Sequence, residues 1–253
     1  MFSLRSFWLL FCALLLVSAP STAVAETPPD LSGAWVQKMV TTSTYRLARV
    51  ARFTTVSTAY QKVDVEQRGE RLQLTTEFCD IEMENTAPGV QPHLSQAFID
   101  SLEPNTRPAR IVANGDSWTV QIPKMWDVHG VRLDDPENDD LPEDGDDPRV
   151  FDQDGDGNPG FTLVLEGTLG GKMYLVQRIW DRMEGQLSGT NDRIQGPIQW
   201  DSEQSVLEAS RRILRSSPTT APDLERSNFE MVRLDEELSC AQLLDQKESL
   251  LTR

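Results

Sequence analysis

The feature that most constrains this chain is a two-residue alternation of apolar and polar side chains, repeated in short runs separated by turn residues. Val63-Asp64-Val65 leads through Arg68-Gly69-Glu70 into Leu72, Leu74, Thr76 and Phe78. That period fits a half-buried strand and not a helix, whose repeat is about 3.6 residues, so the run predicts a hairpin. A second hairpin runs from Ile111 to Ala113, turns at Asn114-Gly115 and continues through Trp118, Val120 and Ile122. Asn-Gly supplies the positive φ that a two-residue hairpin turn requires. A third sets Phe161, Leu163 and Leu165 against Tyr174, Val176, Arg178 and Trp180 across Gly170-Gly171. Shorter strands are expected around Trp35, around Leu187, from Ile198 to Trp200 and from Phe229 to Leu234. With turn signals about every ten residues, the expectation is a mainly β chain, an antiparallel barrel or sandwich, and not a series of βαβ units.

Helix is scarce. Leu94, Ala97, Phe98 and Leu102 share one helical face over a short span. The C-terminus is stronger, because Asp235 can cap, Glu236 and Glu237 complement a first turn, and Leu238, Ala241 and Leu244 keep a 3.6 period. The stretch from Val206 to Leu214 fits a helix or a strand equally well.

The chain opens MFSLRSFWLLFCALLLVSAPSTAVA, with Arg5 ahead of an apolar run and Ala23-Val24-Ala25 behind it. This is the layout of a cleaved secretory signal, and the run from Phe7 to Val17 is shorter than the roughly 20 residues of a spanning helix. Residues 1–25 are therefore expected to be removed, leaving 26–253 as a single β-rich domain with no membrane span, secreted or periplasmic. The whole chain carries 24 Lys and Arg against 40 Asp and Glu, the wrong sign for nucleic acid, which is bound by neutralising phosphates. Export also bears on Cys79 and Cys240, the two cysteines outside the signal. An oxidising compartment favours joining them in a disulfide, the other reading being two buried thiols.

The acidic residues are unevenly placed. Residues 134–156 hold twelve Asp or Glu and one base, Arg149, and this run leads into VFDQDGDGNPGFTL at 150–163. In that stretch Asp152, Asp154 and Asp156 occupy alternate positions, Gly157 follows, and Asn158 can offer a carbonyl. A tight turn with oxygens at every second position converges hard ligands on one point, which suits Ca²⁺ at about 2.3 to 2.6 Å. The pattern resembles the opening half of an EF-hand loop, and more closely the single DxDxDG loops of thrombospondin type 3 segments, dockerins and integrin-type propellers; the resemblance implies calcium, not a shared fold. Leu163 stands where the EF-hand has its closing Glu, and Gly160 where propeller loops often carry Asp. The missing ligands are sought in Asp144, Asp146, Asp147, Glu166 or water. An acidic calcium-loop insertion is thus expected at about 134–160.

Leu31-Ser32-Gly33-Ala34-Trp35 resembles the Gly-x-Trp opening of lipocalin-like barrels, and the C-terminal helix with a disulfide drawn to it is similar to that family too. The resemblance implies an antiparallel barrel with Trp35 plugging one end and a small apolar ligand in its cavity. Catalytic motifs are absent: there is no Gly-x-Ser-x-Gly elbow, no His-Glu-x-x-His site and no phosphate-cradling loop. His93 and His129 are the only histidines, and Ser95 lies near His93. The leading expectation is an exported calcium-binding β-barrel or sandwich with a binding or structural role, acting on an envelope protein or a small apolar ligand. A secreted hydrolase with structural calcium and a lipocalin-like carrier are the alternatives.

Overall fold

A computed structural model of the protein describes residues 27–47, 51–168, 170–216 and 219–252; the export signal expected over 1–25 lies outside them. The strands are β1 (Gly33–Leu47), β2 (Ala51–Arg68), β3 (Arg71–Asn85), β4 (Val90–Leu94), β5 (Asn105–Asn114), β6 (Ser117–His129), β7 (Phe161–Gly167), β8 (Gly171–Leu187), β9 (Arg193–Ala209), β10 (Thr219–Pro222) and β11 (Asn228–Arg233). Two helices join them, α1 (Gln96–Asp100) and α2 (Cys240–Leu251). Every ladder is antiparallel, and the pairing order β8-β6-β5-β3-β2-β1-β11-β9 returns to β8. The sheet thus closes as an eight-stranded barrel, which resolves the barrel-or-sandwich choice and leaves no edge within the ring. β7 and β4 extend the sheet from the first residues of β8, and β10 pairs with the far end of β1.

The three expected hairpins form, and Gly115 takes the left-handed φ of 62° that the Asn-Gly turn needs. The third differs in register, since Phe161 and Leu163 pair with Leu175 and Met173, Tyr174 pairs with Thr162, and Arg178 and Trp180 pair with β6. The alternation fills the barrel as it should. Trp35, Val63, Leu72, Leu74, Ile111, Val120, Ile122 and Phe229 meet in one buried cluster. Trp35 is fully buried, donates its ring N–H to the Leu31 carbonyl at 2.9 Å, and lies under the Arg233 guanidinium. Arg233 also donates to the carbonyls of Asp30 and Ser32, so it ties the entry of β1 to the exit of β11.

Helix α1 is short. Ser95 caps it, accepting from the Phe98 N–H at 3.1 Å, and Phe98 and Ile99 pack into a second cluster with Phe161, Met173, Leu175 and Val206. The undecided stretch is a strand up to Ala209 followed by a 3₁₀ turn at Arg212–Leu214. Helix α2 begins five residues after the expected cap Asp235. Its N-cap is Ser239, whose hydroxyl accepts from the Gln242 N–H while the Gln242 side chain accepts from the Ser239 N–H. That reciprocal pair satisfies two orphan donors at once, which a lone Asp would not. Leu243 and Leu250 seat the helix on Val36, Tyr60 and Val232 outside the barrel, and Cys79 of β3 is disulfide-bonded to Cys240. Among the described residues, no helix is long and apolar enough to cross a membrane.

Candidate metal centre

The acidic segment leaves the barrel after His129 and rejoins the sheet at Phe161, in β7 beside the ring. Its base is pinched shut by two glycines: a Cβ on Gly160 would meet the Leu175 carbonyl at 2.3 Å, and one on Gly130 would meet the Gly160 Cα at 2.7 Å. Both have positive φ, 74° at Gly130 and 79° at Gly160, so glycine is required on two counts. The segment is also anchored to the barrel, because Val131, Leu141 and Val150 pack on Val176, Val128 and Leu207 of the outer barrel face. Arg178 donates to the carbonyls of Pro136 and Asp139, and Arg149 to that of Asp140. A run that composition alone would assign to solvent is therefore docked by apolar contacts and the Arg178 guanidinium, and braced internally by Arg149.

Within this frame the chain folds back on itself between Phe151 and Gly160. Gln153 donates its N–H to the Gly160 carbonyl at 2.8 Å, Gly160 donates to the Phe151 carbonyl at 3.0 Å, and Gln153 Oε1 accepts from the Gly130 N–H. The turn converges Asp152, Asp154 and Asp156, each with a carboxylate oxygen within 4.8 Å of the others. Asp152 Oδ2 accepts from the Gly157 N–H at 2.8 Å and its Oδ1 from the Asp156 N–H at 3.2 Å. Asp156 accepts from the Asn158 N–H and side-chain amide through Oδ1 and from the Thr162 hydroxyl through Oδ2.

Asp154 differs from its neighbours. It is 8% exposed, Oδ2 accepts from the Thr162 N–H at 3.0 Å, and Oδ1 is buried with no hydrogen-bond partner among the described residues. Burial, reinforced by the charges of Asp156 and Asp152, raises its pKa despite the Thr162 bond. Burial also works against ionised Asp156, but the bonds from Asn158 and Thr162 outweigh it and the pKa of Asp156 falls. A buried carboxylate oxygen without a donor, facing like charges, is the arrangement a cation relieves and a solvated turn lacks.

Three of the other candidate ligands have partners elsewhere. Asp147 is held by Arg149 at 2.9 Å, which lowers its pKa; Asp144 accepts from the Asp146 N–H; Glu166 of β7 faces His93 of β4 at 3.9 Å. Of the described acidic residues, the cluster gathers Asp152, Asp154 and Asp156 and not Asp144, Asp146, Asp147 or Glu166. Asn158 sits beside it with its side-chain amide turned to Asp156 as donor. Thr162, which fixes both Asp154 and Asp156, carries no acidic signal in the sequence and is found only by folding. The histidines form no dyad: the Ser95 hydroxyl caps α1, and His129 packs edge-on against Phe98 and Phe161, burial taking its pKa down to about 4. No protein-family model, curated protein or solved structure matches this chain.

Proposed function

We propose that this protein is an exported calcium-binding β-barrel, in which one Ca²⁺ held by Asp152, Asp154 and Asp156 fixes residues 130–160 against the outer barrel face for a binding or structural role in the envelope or outside the cell. The observation that carries this reading is the buried, unpartnered Oδ1 of Asp154 inside a cluster of three carboxylates. The donors are hard oxygens on a flexible turn, a set that suits Ca²⁺ better than Mg²⁺, which demands a near-ideal octahedron. With three carboxylates and the rest of the shell left to the Asn158 carbonyl and water, affinity belongs in roughly the 10⁻⁴ to 10⁻³ M range of extracellular modules. Such a site fills outside the cell. The disulfide and the apolar run ahead of Ala23-Val24-Ala25 support the same compartment. A barrel packed with Trp35, Phe229, Ile198 and Met231 favours this reading over a carrier of apolar molecules.

The test is a thermal melt of the mature protein in EDTA and in millimolar Ca²⁺ or Mg²⁺, repeated with Asp154→Asn. Ca²⁺ should raise the midpoint of the wild type and leave the variant unmoved. Equal wild-type midpoints in all three media would remove the proposal.

A further inference from the structure

The barrel interior holds a second charged cluster, unconnected to the acidic turn. Against the cluster around Trp35, whose Leu74 and Met183 also line it, lies a polar layer. Arg107 of β5, 6% exposed, donates from Nη1 to both carboxylate oxygens of Asp181 of β8 at 2.9 and 2.7 Å, and from Nη2 to the Pro123 carbonyl at 2.9 Å. Gln37 of β1 donates to Gln61 of β2 at 2.7 Å. Asp127 of β6 lines the same small cavity, of about 30 Å³, with Arg107, Asp181, Asn105 and the two glutamines.

A bulge places Asp127 there. In the β6–β8 ladder Ile122 pairs with Met183 but Met125, three residues on, pairs with Asp181, two back. One extra residue in β6 flips the strand's parity, so Met125 and Asp127 take over the face that Val120 and Ile122 hold before it. The same bulge frees the Pro123 carbonyl for Arg107, and proline, lacking an N–H, gives up no ladder bond there.

The charges do not balance. Two carboxylates, Asp127 and Asp181, share one guanidinium, which already gives both Nη groups to Asp181 and Pro123. The other groups lining the cavity with Asp127 from β1, β2 and β3 are Gln37, Met39, Gln61, Thr76 and Phe78, all uncharged, so among the described residues the cavity has no second cation. With Asp127 protonated the trio is neutral; with it ionised, a net negative charge remains beside the apolar cluster around Trp35, at a half-buried carboxyl. Two further buried atoms, Arg107 Nε and Asn105 Oδ1, lack partners and belong to residues lining the cavity. The space suits one or two water-sized molecules that would bond to both.

We propose that Asp127, Asp181 and Arg107 form a one-proton switch inside the barrel, with Asp127 as the group that gains and loses the proton and the cavity as its contact with water. Burial, then the neighbouring Asp181 charge, lift the Asp127 pKa to about 6, against a weaker pull from Arg107. Because the folded pKa lies above the unfolded one, the protonated carboxyl favours the fold fully below pH 4. That contribution disappears as pH rises through 6. His129, two residues along β6, acts in the opposite sense: its folded pKa is depressed, so its contribution falls as pH drops below 6.5. The two partly cancel in the wild-type profile, and only a variant comparison separates them.

The experiment measures urea unfolding at a series of pH values between 4 and 8, in EDTA, for the full mature protein and for Asp127→Asn. The ratio of wild-type to variant folding constants should fall about 100-fold across that range, two pH units of pKa shift. A ratio that stays flat overturns the proposal. Should Asp127→Asn fail to fold, ¹³C NMR titration of the wild-type Asp127 carboxyl decides alone: a midpoint near 6 supports the switch, and one near 4 overturns it.

Discussion

Replacing Arg107 with methionine, which keeps much of the volume, tests whether the interior layer is held by charge or by packing. Arg107 is 6% exposed and its partner Asp181 8% exposed, so the pair is largely withdrawn from bulk solvent. Removing one member of such a pair leaves the other charge uncompensated and costs roughly 3 to 5 kcal/mol. Here the remaining charge is Asp181, with Asp127 beside it, and the Pro123 carbonyl also loses its donor. Against a typical domain stability of about 5 to 15 kcal/mol, the loss is large. With a urea slope of about 2 to 3 kcal/mol/M for a chain of this size, the midpoint should fall by about 1 to 2 M at pH 7.5. The sign with pH follows from the acids. Burial raises the pKa of both Asp181 and Asp127, and in both cases Arg107 opposes the rise; without it both carboxyls protonate more readily, so the deficit should shrink by pH 4.5. The double variant Arg107→Met with Asp181→Leu removes both charges and should recover most of the loss. A midpoint shift below about 0.3 M at pH 7.5, or an equal deficit at both pH values, would refute the reasoning.

Two further outcomes follow from the covalent and backbone geometry. Replacing Cys79 and Cys240 with alanine opens a loop of sequence separation 161 and should cost roughly 4 to 5 kcal/mol in the chain-entropy model, read as a lower urea midpoint equal to that of the reduced wild type. Gly160→Ala forces a Cβ against the Leu175 carbonyl at a φ of 79°, so it should destabilise by about 2 kcal/mol or more; hydrogen exchange should place the added opening in residues 130–160, with α2 unaffected.

What the sequence discloses and what it withholds follow from how local each signal is. The Asn114-Gly115 turn, the Val63–Phe78 alternation and the Asp152–Asp156 spacing are each set by residues within a few positions of one another; the first two appear in the fold as read, and the third brings its three carboxylates together. The long pairing of β1 with β2, from Gly33 with Val65 to Leu47 with Ala51, is not legible beyond Trp35. Its middle is Thr- and Ser-rich, with good strand propensity but no hydrophobic alternation to mark a face. Asp127 illustrates a stricter limit. Counting on from Val120 and Ile122 puts Lys124, Trp126 and Val128 inside and Asp127 out, yet the bulge reverses this: Val128 packs under the acidic segment and Asp127 lines the interior cavity. One inserted residue outweighs the pattern because the side-chain period is two. Which of the neighbouring acids join the cluster is not legible from spacing either. Asp147 is as near in sequence as any candidate, but its carboxylate is taken by Arg149, two residues away.

The two acid clusters meet the same problem, carboxylates crowded beyond what water can screen, with different degrees of enclosure, and this predicts how their responses separate. Asp152 and Asp156 keep contact with solvent while Asp154 is buried at their centre, so a hydrated cation can arrive and keep several water ligands. Asp127 and Asp181 line a cavity of about 30 Å³ that Arg107 also lines, too small for a hydrated ion but open to a proton. The stabilisation by Ca²⁺ should therefore fade as pH falls toward the carboxylate range, since protons compete for the ligand oxygens. The effect of Asp127→Asn should be the same in EDTA and in saturating Ca²⁺. The two perturbations share no residue and sit on opposite sides of the barrel wall, so their free energies should add within about 0.5 kcal/mol. A larger coupling, measured by urea unfolding of Asp127→Asn, Asp154→Asn and the double variant with and without Ca²⁺, would mean that the pinch at Gly130 and Gly160 transmits strain from the outer turn into β6, and that the clusters are one device, not two.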